Sequence, residues 1–203
     1  MIKVENIDVY GFEAAIRGMR NPLNSWERSD SIFDYPYTVE IGPKDLDLMK
    51  RLFKAGTEHR KYLRMITCTM DITAPIYWWK EFDTYKVGTV CNSCSTMHKI
   101  HAKEFTLDDF SHDKSDYVTT CMLKDVMSVL NKNREIYINT SNKQYWWNMI
   151  QLLPSSYNQR RTVQLSYETV FNIIKQREHH KLDEWITFVD ILKDLPYVEE
   201  LMK

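Results

Sequence analysis

Few residues interrupt regular structure in this chain, which contains only five glycines and six prolines among 203 residues. Glycine and proline are the residues that most often end helices and strands, so their scarcity favours long regular elements and few elaborate loops. Gly42-Pro43 opens one helix, in which apolar residues recur at three- and four-residue spacing until Gly56 ends it. The chain is therefore expected to fold from long regular elements.

The order of those elements follows from the spacing of apolar residues. Strands are predicted at residues 2–10 and 63–73, the second of them rich in β-branched side chains. No element is assigned to residues 98–112. Three polar segments are predicted to be loops: 20–37, 86–98 and 155–162. Helices are predicted at 12–19, 43–55, 75–85, 117–130, 141–153, 167–174 and 182–195, with a short one after Pro196.

The composition is that of an ordinary soluble globular protein, with 43% hydrophobic and 27% charged residues. The formal net charge of -1 creates no global field for nucleic acid or an anionic membrane, so neither is expected as a partner. The start of the chain has no apolar signal segment, and no apolar stretch reaches the ~18 residues that a membrane helix needs. Because linkers and repeats are absent from the sequence, residues 1–203 are predicted to form a single cytoplasmic domain.

The segment from Trp78 to Ser95 is the most informative part of the sequence. It is first aromatic, then charged, then small and polar, and it holds Gly88, the only glycine after Gly56. Small polar residues contribute little apolar area to a core. Beside a glycine, they are typical of a loop whose backbone and hydroxyl groups approach a ligand.

Four cysteines are too few for a disulfide scaffold in a chain of this length, so reduced thiols are expected. Cys91 and Cys94 are followed by His98 and His101, which raises a zinc site as an alternative. Tetrahedral sites usually take their two ligand pairs from separated segments. We therefore favour small, partly buried thiols and predict no metal.

Two arginine positions are candidates for anion binding. Arg160-Arg161 lies in a predicted loop and Arg177 lies near a helix end, and the guanidinium group has the donor geometry that fits phosphate. Surface salt bridges are the alternative for each of them. Two tryptophan pairs, Trp78-Trp79 and Trp146-Trp147, cannot each direct both rings to one core from a helix, which favours a subunit interface or a planar ligand.

Several strings resemble the flavin-dependent thymidylate synthases, the ThyX family, over roughly residues 46–198. Thr73-Ala74-Pro75-Ile76-Tyr77-Trp78-Trp79 resembles the stretch that enters the signature helix of that family. Asn92-Ser93-Cys94-Ser95 resembles its Asn-Glu-x-Ser, which lines the flavin and substrate site. Gly56-Thr57-Glu58-His59 resembles its Glu/His turn.

The resemblance continues in the last third of the chain. Leu153-Pro154 with Tyr157 resembles the later Leu-Pro-x-x-x-Tyr of the family. Residues 172–177, followed by Asp183-Glu184-Trp185, resemble the helix that delivers an arginine to the deoxyuridylate phosphate. By that match, Arg177 is the candidate for phosphate binding.

The resemblance implies an α+β fold in which a mixed sheet is flanked by long helices. It also implies a nucleotide ligand, FAD as cofactor and a homotetramer with sites at subunit interfaces. No catalytic residue is assigned. The residues expected to bind nucleotide or cofactor are Glu58, His59, Lys86, Asn92, Ser93, Ser95, Arg160 and Arg177.

The charged positions of the family signature are altered in this sequence. Counted back from Asn92, the Arg-His-Arg positions hold Tyr85, Lys86 and Val87, and the glutamate becomes Ser93. Lys86 replaces at most one of the lost charges. Two functions therefore remain open: a divergent flavin-dependent methyltransferase acting on a dUMP-like pyrimidine deoxynucleotide, or a non-catalytic relative that binds or sequesters a nucleotide without flavin.

Overall fold

The computed structural model describes residues 2–34 and 38–203. The chain divides into two compact units, each formed from several stretches of sequence. Unit 1 consists of the described residues in 1–5, 71–84 and 91–162, and unit 2 of those in 6–70, 85–90 and 163–203. The predicted single domain is thus resolved into two units that are described separately below.

Six strands and nine helices make up the described regular structure. The strands are β1 Lys3–Tyr10, β2 Ile32–Asp34, β3 Thr38–Glu40, β4 Thr67–Pro75, β5 Thr89–Ser93 and β6 Asn158–Ser166. Four of them form a sheet in the order β1-β4-β6-β5, so β5 lies at an edge, and β2 pairs with β3 in antiparallel fashion. The helices are α1 Phe12–Arg20, α2 Pro43–Lys54, α3 Ile76–Phe82, α4 Thr96–Lys99, α5 Tyr117–Thr140, α6 Lys143–Leu152, α7 Tyr167–Arg177, α8 Asp183–Lys193 and α9 Val198–Met202.

Unit 1 has two apolar clusters. On α3, Trp78 and Trp79 are both fully buried and both rings contact Phe82, with centroid separations of 5.2 Å. The prediction that one ring of this pair faces a second surface is therefore wrong. The indole of Trp79 finds its own place because its Nε1 donates to the Gln159 carbonyl at 2.9 Å. A second cluster joins α5 and α6 to the loops before them, through Ile100, Phe105, Phe110, Leu130 and Met149.

Unit 2 is built around α7, which is buried along most of its length. Tyr167 at its start packs edge-on against Phe12 of α1 and donates its hydroxyl to the Pro196 carbonyl at 2.9 Å. Further along, Phe171 meets Phe53 of α2 at 4.6 Å. The apolar positions that predicted α2, α7 and α8 therefore form the core of this unit.

Two of the predicted loops contain strands. Residues 155–162 include the start of β6, and residues 86–98 include β5 and α4. Both strands carry polar and small side chains, which have low strand propensity, so the sheet contacts outweigh the local preference. The predicted loop 20–37 holds short 3-10 turns and β2, while residues 35–37 lie outside the described part.

Most predicted helices are confirmed, with changes at their ends. The helix predicted at 117–130 continues to Thr140, and the one predicted at 75–85 ends at Phe82. The second predicted strand begins at Thr67 rather than residue 63, because Lys61–Arg64 forms a 3-10 turn. The α+β class is confirmed. Within the described residues, no helix combines the length and apolar character needed to cross a membrane.

Candidate functional site

The eight residues predicted to bind nucleotide or cofactor fall into three groups. Two lie in unit 2 beside a large groove, two lie in unit 2 near the turn that precedes β5, and four lie in unit 1 on or beside β5 and β6. In that order they are Glu58 and His59, then Lys86 and Arg177, then Asn92, Ser93, Ser95 and Arg160.

The turn at residues 85–88 caps the start of α7. Gly88 has φ +68°, and its carbonyl accepts from the Ser166 amide at 2.8 Å. The Val87 carbonyl accepts from the Thr169 hydroxyl at 2.8 Å. A Cβ on Gly88 would lie 2.5 Å from the Ser166 hydroxyl oxygen, so glycine is required by contact as well as by conformation. The first turn of α7 is therefore bound by this segment, while the Lys86 side chain is exposed.

Arg177 is held by aromatic side chains at the end of α7. Its guanidinium lies 4.6 Å from the ring centre of Trp185, and its Nε donates to the Tyr85 hydroxyl at 2.9 Å. That hydroxyl donates in turn to Gln176 at 3.0 Å. Cation–π contacts and this hydrogen bond fix the guanidinium plane. A phosphate at Arg177 would have to share the group with these contacts.

A cavity of about 290 Å³ in unit 1 gathers two of the predicted residues, Ser95 and Arg160. We call it the unit 1 cavity. Cys94, Lys99 and Tyr157 line it too. The Cys94 amide donates to the Arg160 carbonyl at 2.9 Å, which fixes the start of the cavity wall to β6. The Ser95 hydroxyl accepts from the His98 amide at 3.1 Å and so begins α4, which ends at Lys99.

The charges of the unit 1 cavity are partly neutralised by ion pairs. Arg160 binds Asp71 at 2.7 Å, and this hydrogen bond raises the pKa of the guanidinium. Lys103 contacts Asp109, whose hydrogen bond raises the pKa of the ammonium group. Lys99 makes no ion pair within the described part of the chain. It is therefore the cation that a ligand in this cavity would meet at least cost.

Tyr157 adds a phenol to the same cavity. Burial raises the pKa of Tyr157, and the negative charge of Asp109 acts in the same direction. The hydroxyl is therefore protonated at neutral pH and can donate a hydrogen bond. Together with the serine and threonine hydroxyls of the wall, it offers polar partners to a ligand that also carries negative charge.

Asn92 and Ser93 lie on the exposed edge strand β5, and their side chains face solvent. Cys91 and Cys94 are also exposed, so the prediction of partly buried thiols is wrong at these two positions. The physical reason is the edge position of β5, which leaves one side of the strand uncovered. Among the described residues, no group of three or more His, Cys, Asp or Glu could hold a metal ion.

Arg161 has a structural role in unit 1. Its guanidinium lies 4.2 Å from the ring centre of Trp79 and binds Asp83 at 2.7 Å. Its Nη1 also lies 3.9 Å from the Cys91 sulfur. The salt-bridge alternative therefore describes Arg161, and the neighbouring Arg160 is the residue of the pair that reaches the cavity.

The largest cavity of the described residues is an open groove of about 1050 Å³ in unit 2. It is bounded by the end of α1, the first turns of α2 and the segment 58–65, and we call it the unit 2 groove. Glu58 and His59, both predicted from the sequence, lie on its rim. Its cationic residues were missed by sequence reasoning: Arg20, Arg28, Lys44, Arg51 and Lys61.

A buried ion pair supports one wall of this groove. Arg20 and Asp45 are 4% and 0% exposed, and the Arg20 Nε donates to the carboxylate at 2.6 Å. Ser29, Asp30 and Ser31 also donate to Asp45, which joins the loop before β2 to the start of α2. Burial acts to raise the pKa of Asp45, but the hydrogen bonds outweigh it and hold the pKa below its ordinary value.

Known structures with this fold come from nucleotide enzymes. Thymidylate Synthase X (ThyX) from Helicobacter pylori, solved with FAD and dUMP, matches with TM-score 0.74 and 17% identity over 100% of both chains. Another structure of the H. pylori enzyme with FAD and dUMP gives TM-score 0.69 and 16% identity, covering 97% of this chain and 96% of that one. The UMP/dUMP methylase PolB from Streptomyces cacaoi, bound with 5-Br dUMP, gives 0.64 and 13%, covering 100% and 94%.

No protein-family model matches the chain, and no curated protein sequence matches it. The likeness to known structures extends over the full length, but at identities of 13–17% it establishes the fold alone. The chain therefore has the fold of the ThyX thymidylate synthases.

Proposed function

We propose that the protein binds a dUMP-like pyrimidine nucleotide in the unit 1 cavity. The observation that carries this proposal is the meeting of Ser95 and Arg160, predicted from distant parts of the sequence, with Lys99 and Tyr157 around one cavity. Its volume of about 290 Å³ is near the lower end of the ~300–1,000 Å³ typical of small-molecule sites. The fold supports the ligand class, because structures with this fold were solved with dUMP or its 5-bromo analogue.

The polar groups of the cavity suggest how such a ligand would be held. Lys99, which has no ion pair in the described structure, and Arg160 would bind the phosphate by charge-assisted hydrogen bonds. The Tyr157 hydroxyl and the hydroxyls of the wall would bind the oxygens of the base or sugar. This arrangement supplies binding and orientation.

Whether the protein also uses FAD depends on the turn at residues 85–88. The resemblance implies two arginines and a histidine there, but Tyr85 contacts Arg177 and the Val87 carbonyl caps α7. These residues do not fit the anionic groups of FAD in the way that the resemblance implies. We therefore favour a nucleotide-binding protein without flavin. A flavin-dependent methyltransferase of the ThyX kind is the second candidate, supported by the full-length likeness to FAD-bound structures.

Titration with dUMP tests the binding proposal. We expect wild-type protein to bind dUMP in calorimetry and to gain thermal stability by mass action. Lys99→Ala should weaken binding at least tenfold, because a charged hydrogen bond contributes about 1.5–3 kcal/mol. Lys80→Ala, an exposed lysine of α3 in the same unit, is the matched control and should bind as wild type. Equal binding by wild type and Lys99→Ala, or no binding at millimolar dUMP, would remove the cavity as the site.

Absorbance between 300 and 550 nm separates the two candidates. A binder without flavin should purify colourless and remain so after incubation with FAD and gel filtration. Flavin bands that co-purify or persist after filtration would make the flavin-dependent enzyme the better description. A methyl-transfer assay with dUMP would then follow.

We also propose that the protein is a homo-oligomer, with a tetramer as the form that the resemblance implies. Helix α5 exposes a series of large apolar side chains, Tyr117, Val118, Met122, Val129 and Ile138. Apolar patches of this kind are typical of interfaces, and a second copy of the chain is the proposed occupant. Light scattering should give an oligomer for wild type and a smaller species for Met122→Asp. A wild-type monomer at micromolar concentration would contradict this part.

A further inference from the structure

We propose that the unit 2 groove is a binding site for a nucleotide that carries a diphosphate. This site is separate from the unit 1 cavity, and its assignment does not depend on the dUMP proposal. Its volume of about 1050 Å³ is at the upper end for small-molecule sites. The groove is therefore large enough for a base, a sugar and two phosphates.

The cations of the groove come from three different segments. Arg28 lies in a 3-10 turn, Lys44 at the start of α2 and Lys61 in the turn before β4. None of these three side chains makes an ion pair within the described residues. Like charges gathered at one groove repel one another unless an anion is shared among them. Three separate donors suit a ligand with more than one phosphate better than a single phosphate.

The other charged groups of the groove are largely neutralised by partners. Arg20 is bound to the buried Asp45, and Arg51 pairs with Asp47 at 2.9 Å. Glu58 and His59 complete the polar rim. A carboxylate such as Glu58 is a suitable acceptor for ribose hydroxyls, which gives the rim a contact that inorganic phosphate would not use.

The groove also has an apolar side. Met19, Leu48, Leu52 and Met65 line it, opposite in character to the lysines and arginines. Methionine and leucine side chains offer an adaptable apolar surface to the face of a flat ring. Small-molecule sites commonly combine such a surface with a few polar groups that fix orientation. This combination favours a nucleotide over a simple polyanion.

The inference also accounts for the altered signature turn. At the positions where the resemblance implies two arginines, this chain has Tyr85 and Val87, whose hydroxyl and carbonyl are used inside unit 2. The unpaired cations of unit 2 that line a cavity lie instead at the groove, within the described residues. A diphosphate ligand would therefore bind through Arg28, Lys44 and Lys61.

The test uses ADP and pyrophosphate as probes and paired lysine variants. Lys44→Ala/Lys61→Ala removes two groove cations, and Lys175→Ala/Lys181→Ala removes two exposed lysines of unit 2 that do not line the groove. We expect ADP to bind wild type and the control alike, and to bind the groove variant at least tenfold more weakly. Binding should weaken as salt rises, because the contacts are between exposed charges.

The pyrophosphate arm tests the apolar side of the groove. Wild type should bind ADP at least fivefold more tightly than pyrophosphate, because only ADP carries a ring and a ribose. Equal binding of the two probes would overturn the nucleotide assignment, and equal ADP binding by wild type and the groove variant would overturn the site. All four lysines are exposed, so the variants should keep the wild-type melting temperature. Unchanged dUMP binding in the groove variant would keep this result distinct from any failure of the unit 1 cavity.

Discussion

The buried carboxylate of Asp45 offers the sharpest test of the structure. It accepts hydrogen bonds from Arg20 at 2.6 Å, from the Ser29 and Ser31 hydroxyls at 2.7 Å each, and from two backbone amides. Asp45→Asn keeps the shape but replaces one acceptor oxygen with a donor and leaves Arg20 without its counter-ion. Breaking a buried ion pair by changing one partner costs about 3–5 kcal/mol. The variant should therefore be strongly destabilised.

Thermal unfolding gives that cost as a shift in the melting temperature. For a chain of this size, 1 kcal/mol corresponds to roughly 2–4 °C, so Asp45→Asn should melt roughly 6–20 °C lower. Asp47→Asn, two residues further along α2, is the matched control. Asp47 and Arg51 form an exposed pair, 65% and 67% accessible, which contributes about 0–1 kcal/mol. Similar small shifts for both variants would refute the assignment of Asp45 as a buried, charged centre.

The pH dependence of stability gives a second measurement on the same residue. The folded pKa of Asp45 lies below its ordinary value of 3.8, so the unfolded state binds the proton more readily. The stabilisation is therefore fully present above pH 3.8 and is lost as the pH falls through the folded pKa. Wild type should lose stability over that acidic range more steeply than Asp45→Asn. Parallel pH profiles would contradict the argument.

Two further substitutions test contacts around the candidate sites. Gly88→Ala should destabilise by about 1–3 kcal/mol, because φ is +68° and the new Cβ would lie 2.5 Å from the Ser166 hydroxyl oxygen. Gly18→Ala, whose Cβ would meet only the flexible end of a methionine side chain, should shift chemical denaturation much less. Trp79→Phe should cost about 2 kcal/mol, because it leaves a buried carbonyl without its indole donor, whereas Trp147→Phe at an exposed position should be nearly neutral in the same assay.

Helices could be predicted from this sequence more reliably than strands. In α2 and α7 the apolar spacing matches the buried face, because a helix shows its pattern within one continuous stretch. β6 begins with Asn158, Gln159, Arg160 and Arg161, which show no apolar alternation. These side chains are stabilised by partners distant in sequence, such as Asp71 and Asp83. Such pairing cannot be inferred from local sequence.

The candidate sites were predicted only in part for the same reason. Ser95 and Arg160 were identified through the family resemblance, and the structure places both at one cavity. Lys99 carries no motif, and its position at the cavity follows from the short helix that Ser95 begins. The groove cations lie in three separate segments of unit 2, so neither spacing nor charge pattern brings them together on paper.

The turn at residues 85–88 separates what a side chain does from what the backbone does. The Val87 side chain is 87% exposed, and its carbonyl makes the contact to α7. Tyr85 contributes through its side chain, which accepts from Arg177 and packs against Trp185. Val87→Arg should therefore leave the melting temperature within about 2 °C of wild type, since a surface substitution is usually within ~0.5 kcal/mol.

Tyr85→Arg should behave differently, although it too introduces an arginine that the resemblance implies. It removes the hydroxyl that Arg177 binds and places a second guanidinium beside the first, so both packing and charge oppose folding. We expect a loss of about 2–4 kcal/mol, measured by thermal unfolding beside Val87→Arg. If Tyr85→Arg were tolerated as well as Val87→Arg, the Tyr85–Arg177 contact would not stabilise unit 2. Arg177 would then be available to a phosphate, as the sequence predicted.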